Sequence, residues 1–567
     1  MNDATSAAQD IRTQIIWSRM IAAVEEQARS LIRAGFSTST REAGDVSAGV
    51  FNPEGEMLAQ AVTGTPGHIN SMARSVRHFL DVFPAETMQP GDAYITNDPW
   101  KATGHLTDLT VVTPVHRDGR MIALFACTTH VVDIGGNGPS PESRHVFGEG
   151  LFIPIMKIAD RGTMNDVLLQ IIRANVREPV QVEGDVFALV ACNEIGGRRL
   201  QQILDEYGLA DLDEVGRSIL ETSGRAMRRA IAALPRGTWR NHIRIDGYES
   251  PIDLVAAVTV TADEILIDME GTSGLSAFGI NCPLCYTEAY AAFGVKCLVA
   301  PALPNNAATL ACIRITAPED CIANAPFPRP VVARSTIGMF LPDLVFGCFE
   351  QALKDTVPAE STGCLWNIRL GSAGGGGHTP FMVTSFHSGG AGARPADDGL
   401  SATPFPSGIR NVPVEVTEAI TSLVVWEKAY RPDSGGAGRW RGGLGQTMVI
   451  GNRAPQPLTL YARFERVENP ARGRQGGQPG ASGAVSLASG TRLKAKGMQA
   501  IPPGDAVIIA MPGGGGYGDP ASRDPDLVAR DVLLGFVTAA AAQAEYKVVL
   551  HADGAVDADA TARLRAG

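Results

Sequence analysis

The stretch TGHLTDLTVV, residues 103–112, sets His105 and Asp108 three positions apart just ahead of an apolar run. Further on, TTHVVDIGG places His130 three residues before Asp133. An imidazole and a carboxylate at this spacing are either a hydrogen-bonded turn pair before a strand or two ligands of a metal ion. Two imidazoles with one or two carboxylates suit divalent zinc, manganese or iron. Open positions on such an ion would take water or a substrate oxygen.

Two apolar runs lie between these stretches and flank HRDG, residues 116–119, which is a turn signal. An antiparallel hairpin centred between Arg117 and Asp118 puts position 105 opposite His130 and position 108 opposite Cys127. Opposed side chains in such a pair have Cβ atoms about 4.5–5.5 Å apart. Two imidazoles at that separation can share an ion with bonds of about 2.0–2.1 Å. Residues 105 and 108 differ in parity, so in a regular strand they would face opposite sides. The strand should therefore begin after Gly104, with His105 on irregular backbone that a glycine permits. Asp45, in AGDVSAG at the mouth of an earlier hairpin, is the candidate further acid, either a ligand or a general base. Asp133 is either an acid that orients a ligand histidine or a turn residue. His68, in GTPGHINSM, is either a substrate contact or a hydrogen-bonding group at a helix start.

The elements that must position these residues follow from periodicity. Residues 10–34 carry Ile15, Ile16, Met20, Ile21, Val24, Ala28, Leu31 and Ile32 at helical spacing, with Gly35 as a stop. GDVSAGVFNPEGEMLAQA reads as a hairpin turning at Asn52-Pro53-Glu54-Gly55. Residues 68–84 are helical, PGDAYITNDP holds a short strand, and residues 165–233 are rich in helix. Strands follow from about 240 to 275 and a helix over 284–300. The end of the chain is glycine-rich and β-like, with a late helix in PDLVARDVLLGFV. The fold class is α+β, a multi-layer composite of antiparallel hairpins and sheets packed by helices. Three segments are expected: an N-terminal metal-site domain over 1–235, a central α/β region over 236–400 and a glycine-rich β region over 401–567.

Composition narrows the function. A net charge of −11 argues against a nucleic-acid groove, which needs clustered Lys and Arg. The start, MNDATSAAQD, has acids and no apolar core, so it is not a secretory signal. No apolar run of about 18 residues is present, so no membrane span is expected. The nine cysteines are scattered among apolar neighbours, which suits reduced thiols in a cytoplasmic protein. Cys282 and Cys285, in CPLC, have zinc-like spacing, but no second pair follows at ribbon distance, and two small thiols at a helix entry are favoured. GGGG occurs at 374–377 and at 513–516, yet no phosphate-cradling G-x-x-x-x-G-K-[ST] string exists. Tight turns explain these glycines, and no cofactor-binding residues are assigned. His378 and His387 flank loops, and Arg439 and Arg441 either bind an anion or brace a glycine-rich turn.

NDPWKATGHLTDLTVVTPV and TTHVVDIGG resemble the hydantoinase B/oxoprolinase family. So do EAGDVSAGVFNPEGEMLAQA, GTPGHINSM, GEGLFIPIMKI, GINCP, PFPRPVVAR, NVPVEVTEA, DSGGAGRWRGGLG and MPGGGGYGDPASRDPDLVARDVLLGFV, so that the resemblance spans nearly the whole chain. It implies a B-type subunit of an ATP-dependent hydantoinase, 5-oxoprolinase or caprolactamase, acting on a cyclic amide C–N bond. The expected partner is an A-type, kinase-like subunit in a heterotetramer or larger assembly. That partner would use ATP and Mg to phosphorylate the substrate, and metal-bound water on this chain would open the ring. The resemblance maps the family's ligands onto His105, Asp108 and His130, with Asp45 as the acid from the preceding hairpin. It also covers acetone carboxylase large subunits, so an ATP-dependent carboxylase is the alternative, as is a non-catalytic partner stabilising the A-type chain. Those large subunits are longer. Where many relatives have a GGTHLPD-like stretch, this chain reads KATGHLTD, which places Lys101 near the site.

Overall fold

The computed structural model describes residues 2–138 and 140–566, with side chains from residue 11 onward. The first helical pattern forms α1 (Asn2–Ala34), whose Ile16, Met20, Val24, Ala28 and Leu31 are buried while Ile11 and Ile15 stay exposed. The short α2 (Thr38–Arg41) is capped by the Ser37 hydroxyl. Next come β1 (Val46–Phe51), β2 (Met57–Gln60), α3 (Pro66–Val82) and β3 (Ala93–Thr96). After these the chain forms β4 (Asp108–Arg117), β5 (Arg120–His130), β6 (Met156–Asp160) and β7 (Thr163–Met164). The seven strands make one sheet in the order β2-β1-β5-β4-β3-β6-β7, and every neighbouring pair in it is antiparallel. Three helices follow, α4 (Asp166–Asn175), α5 (Pro179–Tyr207) and α6 (Asp213–Ala232).

Both faces of this sheet are covered. Ala123 and Phe125 of β5 pack with Val24 of α1 and Leu200 of α5. Leu124 and Ala126 pack on the other side with Met72, Val76 and Phe79 of α3. With helices on both sides, the central strands bury successive residues and read as continuous apolar runs instead of alternating ones.

The hairpin of β4 and β5 differs in register from the sequence expectation. It closes through Asp118 (φ 50) and Gly119 (φ 79), both left-handed, the type I′ geometry that matches strand twist. This turn pairs Arg117 with Arg120, and a bulge between Val115 and His116 shifts the ladder once more. Asp108 therefore lies directly opposite His130, and Cys127 opposite Val111. The turn supplies two of the three positions of displacement and the bulge supplies the third. β4 starts at Asp108, and residues 101–107 form turns and bends, so His105 does stand on irregular backbone.

The chain forms two units, residues 1–241 with 255–348 and residues 242–254 with 349–567. The sequence instead suggests three segments, with one boundary near 400 that falls inside the second unit. β8 (Gly237–Ile245) and β9 (Ile252–Val260) are each divided between the units. β9 pairs antiparallel with β10 (Ile265–Asp268), which pairs parallel with β11 (Ile313–Thr316). α7 (Leu284–Val299), α8 (Ala307–Ala311), α9 (Ser335–Gly338) and α10 (Leu341–Phe349) complete this part, and α7 packs on α3. No helix among the described residues is long and apolar enough to cross a membrane.

In the second unit, β12 (Leu365–Ser372) and β13 (Phe381–Ser388) precede α11 (Val414–Ile420), β14 (Leu423–Tyr430), β15 (Gln446–Asn452) and β16 (Leu458–Arg463). Then come β17 (Ala484–Leu487), β18 (Lys496–Ile501), β19 (Val507–Ala510), α12 (Pro525–Leu533), α13 (Ala539–Ala544) and α14 (Ala558–Ala566). Its strands form two four-stranded sheets, β13-β12-β16-β18 and β14-β15-β19-β17.

The two GGGG runs serve different ends. Gly374 to Gly377 all have positive φ and make the expected turn. Gly513 to Gly516 instead form an extended segment laid against other backbones. Gly514 N donates to Gly443 O at 2.9 Å, and Gly436 N donates to Gly514 O at 2.8 Å. Gly515 N donates to Glu360 O, and Gly516 N to Gln478 O, each at 2.9 Å. A Cβ on Gly513, Gly514, Gly515 or Gly516 would fall 1.7, 2.1, 2.1 or 2.2 Å from a neighbouring carbonyl oxygen. Close backbone packing, not a tight turn, explains this second run.

Candidate metal centre

Asp108 opens β4 and His130 closes β5, and their direct pairing puts both on the sheet face covered by α3. His130 Nδ1 lies 2.9 Å from Asp108 Oδ1. His105, from the turn before β4, brings Nε2 to 2.7 Å from the same oxygen. One donor atom from each of these three residues lies within 4.8 Å of the others. The Asp108 side chain is fully buried, His105 is nearly so, and the His130 side chain is 20% exposed. Access to the cluster is therefore from the His130 side.

The other oxygen of Asp108 is already occupied. Its Oδ2 accepts from Thr103 Oγ1 at 2.8 Å, His68 Nε2 at 2.9 Å and Arg334 Nη2 at 2.6 Å. Burial opposes its charge, but the neighbouring His105, His68 and Arg334 outweigh it and hold the Asp108 carboxyl well below the usual carboxylate range. His105 Nδ1 lies 2.9 Å from the carbonyl oxygen of Val332. Both ring nitrogens thus face an acceptor, and a neutral ring that gives Nε2 to a cation carries its hydrogen on Nδ1, toward the Val332 carbonyl. Burial, and then the Arg334 charge, push the His105 pKa down to about 3, so the ring is neutral. Thr107 Oγ1, 2.9 Å from Nε2, offers one donor.

The outcome is a corner in which an imidazole nitrogen and an anionic oxygen face each other at 2.7 Å. A divalent cation fits there. The donors are borderline nitrogen and hard oxygen, and the far nitrogen of His105 is anchored on a carbonyl, as a ligand histidine usually is. Three protein ligands leave a position open for chemistry. His105, Asp108 and His130 would hold the ion.

The remaining candidates fall around this core. His68, the third residue of α3, joins Asp108 to Asp45, with Nδ1 3.4 Å from Asp45 Oδ1. Burial opposes its charge, but the nearby Asp108 and Asp45 prevail and raise its pKa. Asp45 Oδ1 also accepts from Thr65 Oγ1 at 2.9 Å, and the Asp45 carbonyl accepts from His130 N at 3.1 Å. Asp45 is thus not one of the three gathered donors and reaches them through His68. Asp133 accepts from Gly135 N at 3.2 Å and from Arg177 Nη1 at 2.8 Å, which braces the loop after β5. Lys101 is half-exposed and lies 3.8 Å from Asp98. Cys282 accepts from Thr287 Oγ1, Cys285 donates to Pro99 O, and burial pushes the Cys282 thiol up to about 12. These are packed thiols. Arg441 pairs with Asp531 and donates to Gly442 O, bracing glycine-rich backbone.

Arg334 is the main site residue to which the sequence reading assigns no role, although it ends the stretch PFPRPVVAR. Its guanidinium also donates to Thr103 O and lies 3.9 Å from the centre of the Tyr286 ring. The available signal is a lone cation within VVARSTIGMF, because a buried arginine needs a buried acid. Gly104 has φ +94, and a Cβ there would sit 2.5 Å from Arg334 Cδ.

The family description hydantoinase B/oxoprolinase matches residues 9–520. An uncharacterized protein of Methanocaldococcus jannaschii is 30% identical, with the match covering 98% of this chain and 99% of that protein. The B-type chain of a D-/L-hydantoinase, named as putative, from a Pseudomonas species is 27% identical over 98% of both chains. The crystal structure of an ATP-dependent caprolactamase from Pseudomonas jessenii matches with a TM-score of 0.86 at 25% identity, covering 98% of this chain and 99% of that one. The shared α+β architecture and a family match running through both units lead to one conclusion: the chain belongs to the hydantoinase B/oxoprolinase family.

Proposed function

We propose that this chain is the metal-holding B-type subunit of an ATP-dependent cyclic amide hydrolase that works with a kinase-like A-type subunit. The observation that carries the proposal is the corner of Asp108 Oδ1, His105 Nε2 and His130 Nδ1, backed by three donors on Asp108 Oδ2. The substrate class rests on relatives named for hydantoins and caprolactam. Without a phosphate-cradling loop in the sequence, ATP and Mg are assigned to the partner. When bound, a divalent cation supplies Lewis acidity and lowers the pKa of water toward about 7.

The chain's own groups have separable tasks. Asp108 stays ionised and serves as an anionic ligand, not as a base. Thr103, His68 and Arg334 hold its second oxygen and so fix which oxygen faces the ion. His68 holds a proton at Nε2 against Asp108, and Asp45 stands at its Nδ1 to share the charge. The partly exposed His130 marks the side from which an activated ring would approach. Burial of Asp108 and His105 keeps bulk water from competing for the ligand atoms.

The test is metal analysis of the purified chain together with ATP-dependent ring opening of hydantoin, 5-oxoproline and caprolactam in the presence of the A-type partner. His105→Ala combined with His130→Ala should abolish both metal content and turnover. A double variant that keeps full metal and full turnover would overturn the proposal. Incorporation of labelled bicarbonate without ring opening would replace hydrolysis with carboxylation.

A further inference from the structure

Two supports of the site come from one irregular segment just before α9. The Val332 carbonyl anchors His105 Nδ1, and the Arg334 guanidinium anchors Asp108 Oδ2. Two side chains hold this segment from behind: Asn281 Nδ2 donates to Pro330 O at 3.0 Å, and Glu149 takes the two amides that follow. Glu149 follows the short 3-10 turn Val146–Gly148, and its Oε1 accepts from Val331 N at 2.7 Å and from Val332 N at 3.0 Å. Glu149 is 1% exposed, and its Oε2 is buried without a hydrogen-bond partner among the described residues. Pro328 O accepts from Val146 N at 3.0 Å, and Gly279 O accepts from Ala333 N at 2.7 Å, so the segment is tied on both sides of the carboxyl.

A buried carboxyl with no cation paired to it among the described residues is an expensive way to satisfy two amides. What it achieves is geometric. Gathering two successive N–H groups on one oxygen fixes the backbone torsions of Val331, and the Val332 carbonyl is aimed from the residue so fixed. That carbonyl competes with the Asp108 carboxylate for the one hydrogen of a neutral His105, and by drawing it to Nδ1 leaves Nε2 to bind. We propose that Glu149 is a positioning residue that sets the His105 tautomer through the Val331–Val332 backbone, and with it the metal affinity of the His105–Asp108–His130 cluster. The affinity half rests on the function proposed above, and the tautomer half does not.

The experiment compares wild type, Glu149→Gln and Glu149→Leu, with Glu149→Asp as the milder change should the leucine variant fail to fold. Glutamine keeps an oxygen for both amides, whereas leucine has none and aspartate is one methylene short. Histidine ring ¹⁵N shifts are read on the whole metal-free chain at pH 7, with His105 assigned by its loss in His105→Gln. Wild type and Glu149→Gln should show hydrogen on Nδ1, and Glu149→Leu or Glu149→Asp should lose that single tautomer. Zinc titration should give a Kd weakened by about 10–100-fold in the leucine or aspartate variant and unchanged in the glutamine variant. A leucine or aspartate variant with the wild-type tautomer and Kd would overturn the proposal, as would a glutamine variant impaired as much as leucine. If the tautomer moves as expected but wild type binds no metal, the positioning role stands and the metal-holding function falls.

Discussion

Replacing Arg334 by Met retains an apolar stem against Tyr286 and deletes the guanidinium. In the native chain that group is one of three donors on Asp108 Oδ2, at 2.6 Å, and it also bonds the Thr103 carbonyl. Arg334 is 3% exposed and the Asp108 side chain 0%, so neither water nor salt screens the pair. Removing one partner of a buried ion pair costs about 3–5 kcal/mol. Thr103 and His68 remain on the oxygen, which sets the expected loss near the lower bound, about 3 kcal/mol. Asp108→Asn makes the opposite error and leaves Arg334 uncompensated. The two changes together should then cost less than their sum, by a coupling of about 1–3 kcal/mol. Urea unfolding of the metal-free protein measures the three losses, and amide exchange in β4 and β5 reports the unit that holds the site. Arg334→Met with a loss below about 1 kcal/mol, or additive losses in the double variant, would refute the account of Asp108 as a carboxylate held by buried donors.

Two further outcomes follow from the same geometry. Gly104→Ala must place a Cβ at φ +94 and 2.5 Å from Arg334 Cδ. Backbone strain of about 1–3 kcal/mol and a similar overpacking cost should lower the melting temperature and the zinc affinity together, and an unchanged calorimetric scan contradicts this. Burial raises the Glu149 carboxyl from 4.5 to about 8. Between those values the folded chain keeps a proton that the unfolded chain has released. This contribution to stability is therefore fully present below pH 4.5 and is lost as pH rises through about 8, at about 1.4 kcal/mol per pH unit within the window. The stability difference between wild type and Glu149→Gln, followed by urea unfolding from pH 4 to 9, should show that slope, and a flat difference counts against it.

What the sequence discloses about the site follows the distance over which contacts act. His105, Asp108 and His130 are legible because one short hairpin joins them. The parity clash between 105 and 108 correctly puts His105 on irregular backbone. The register is legible only in part, because Asp118-Gly119 is a pair that signals a two-residue left-handed turn, whereas the bulge at Val115 leaves only a weak local signal. The roles of Arg334 and Glu149 are hidden for a different reason, although PFPRPVVAR and GEGLFIPIMKI contain these residues. Arg334 lies 226 residues from the aspartate it holds, and Glu149 acts on backbone amides, which have no side-chain pattern. Asp45 is legible as a nearby acid, but only the position of His68 at the start of α3 shows that an imidazole stands between it and Asp108. The α+β class is readable from switching periodicities, while burial on both faces of the central sheet erases the alternation that would have marked its strands individually.

The close-packed glycine segments of the second unit bear on how that unit assembles. Gly443 donates to Ala391, Gly514 to Gly443 and Gly436 to Gly514, so these bonds join stretches far apart in the sequence. Such bonds cannot form early, because each needs a distant stretch already in place and the glycines bring no side chains with which to collapse. Ordering each residue costs about 1–2 kcal/mol of backbone entropy, and glycine forfeits the most. That cost is recovered only when the last neighbour arrives. Folding of this unit should thus resemble the closing of an arch, in which every course is unstable until the whole span is in place.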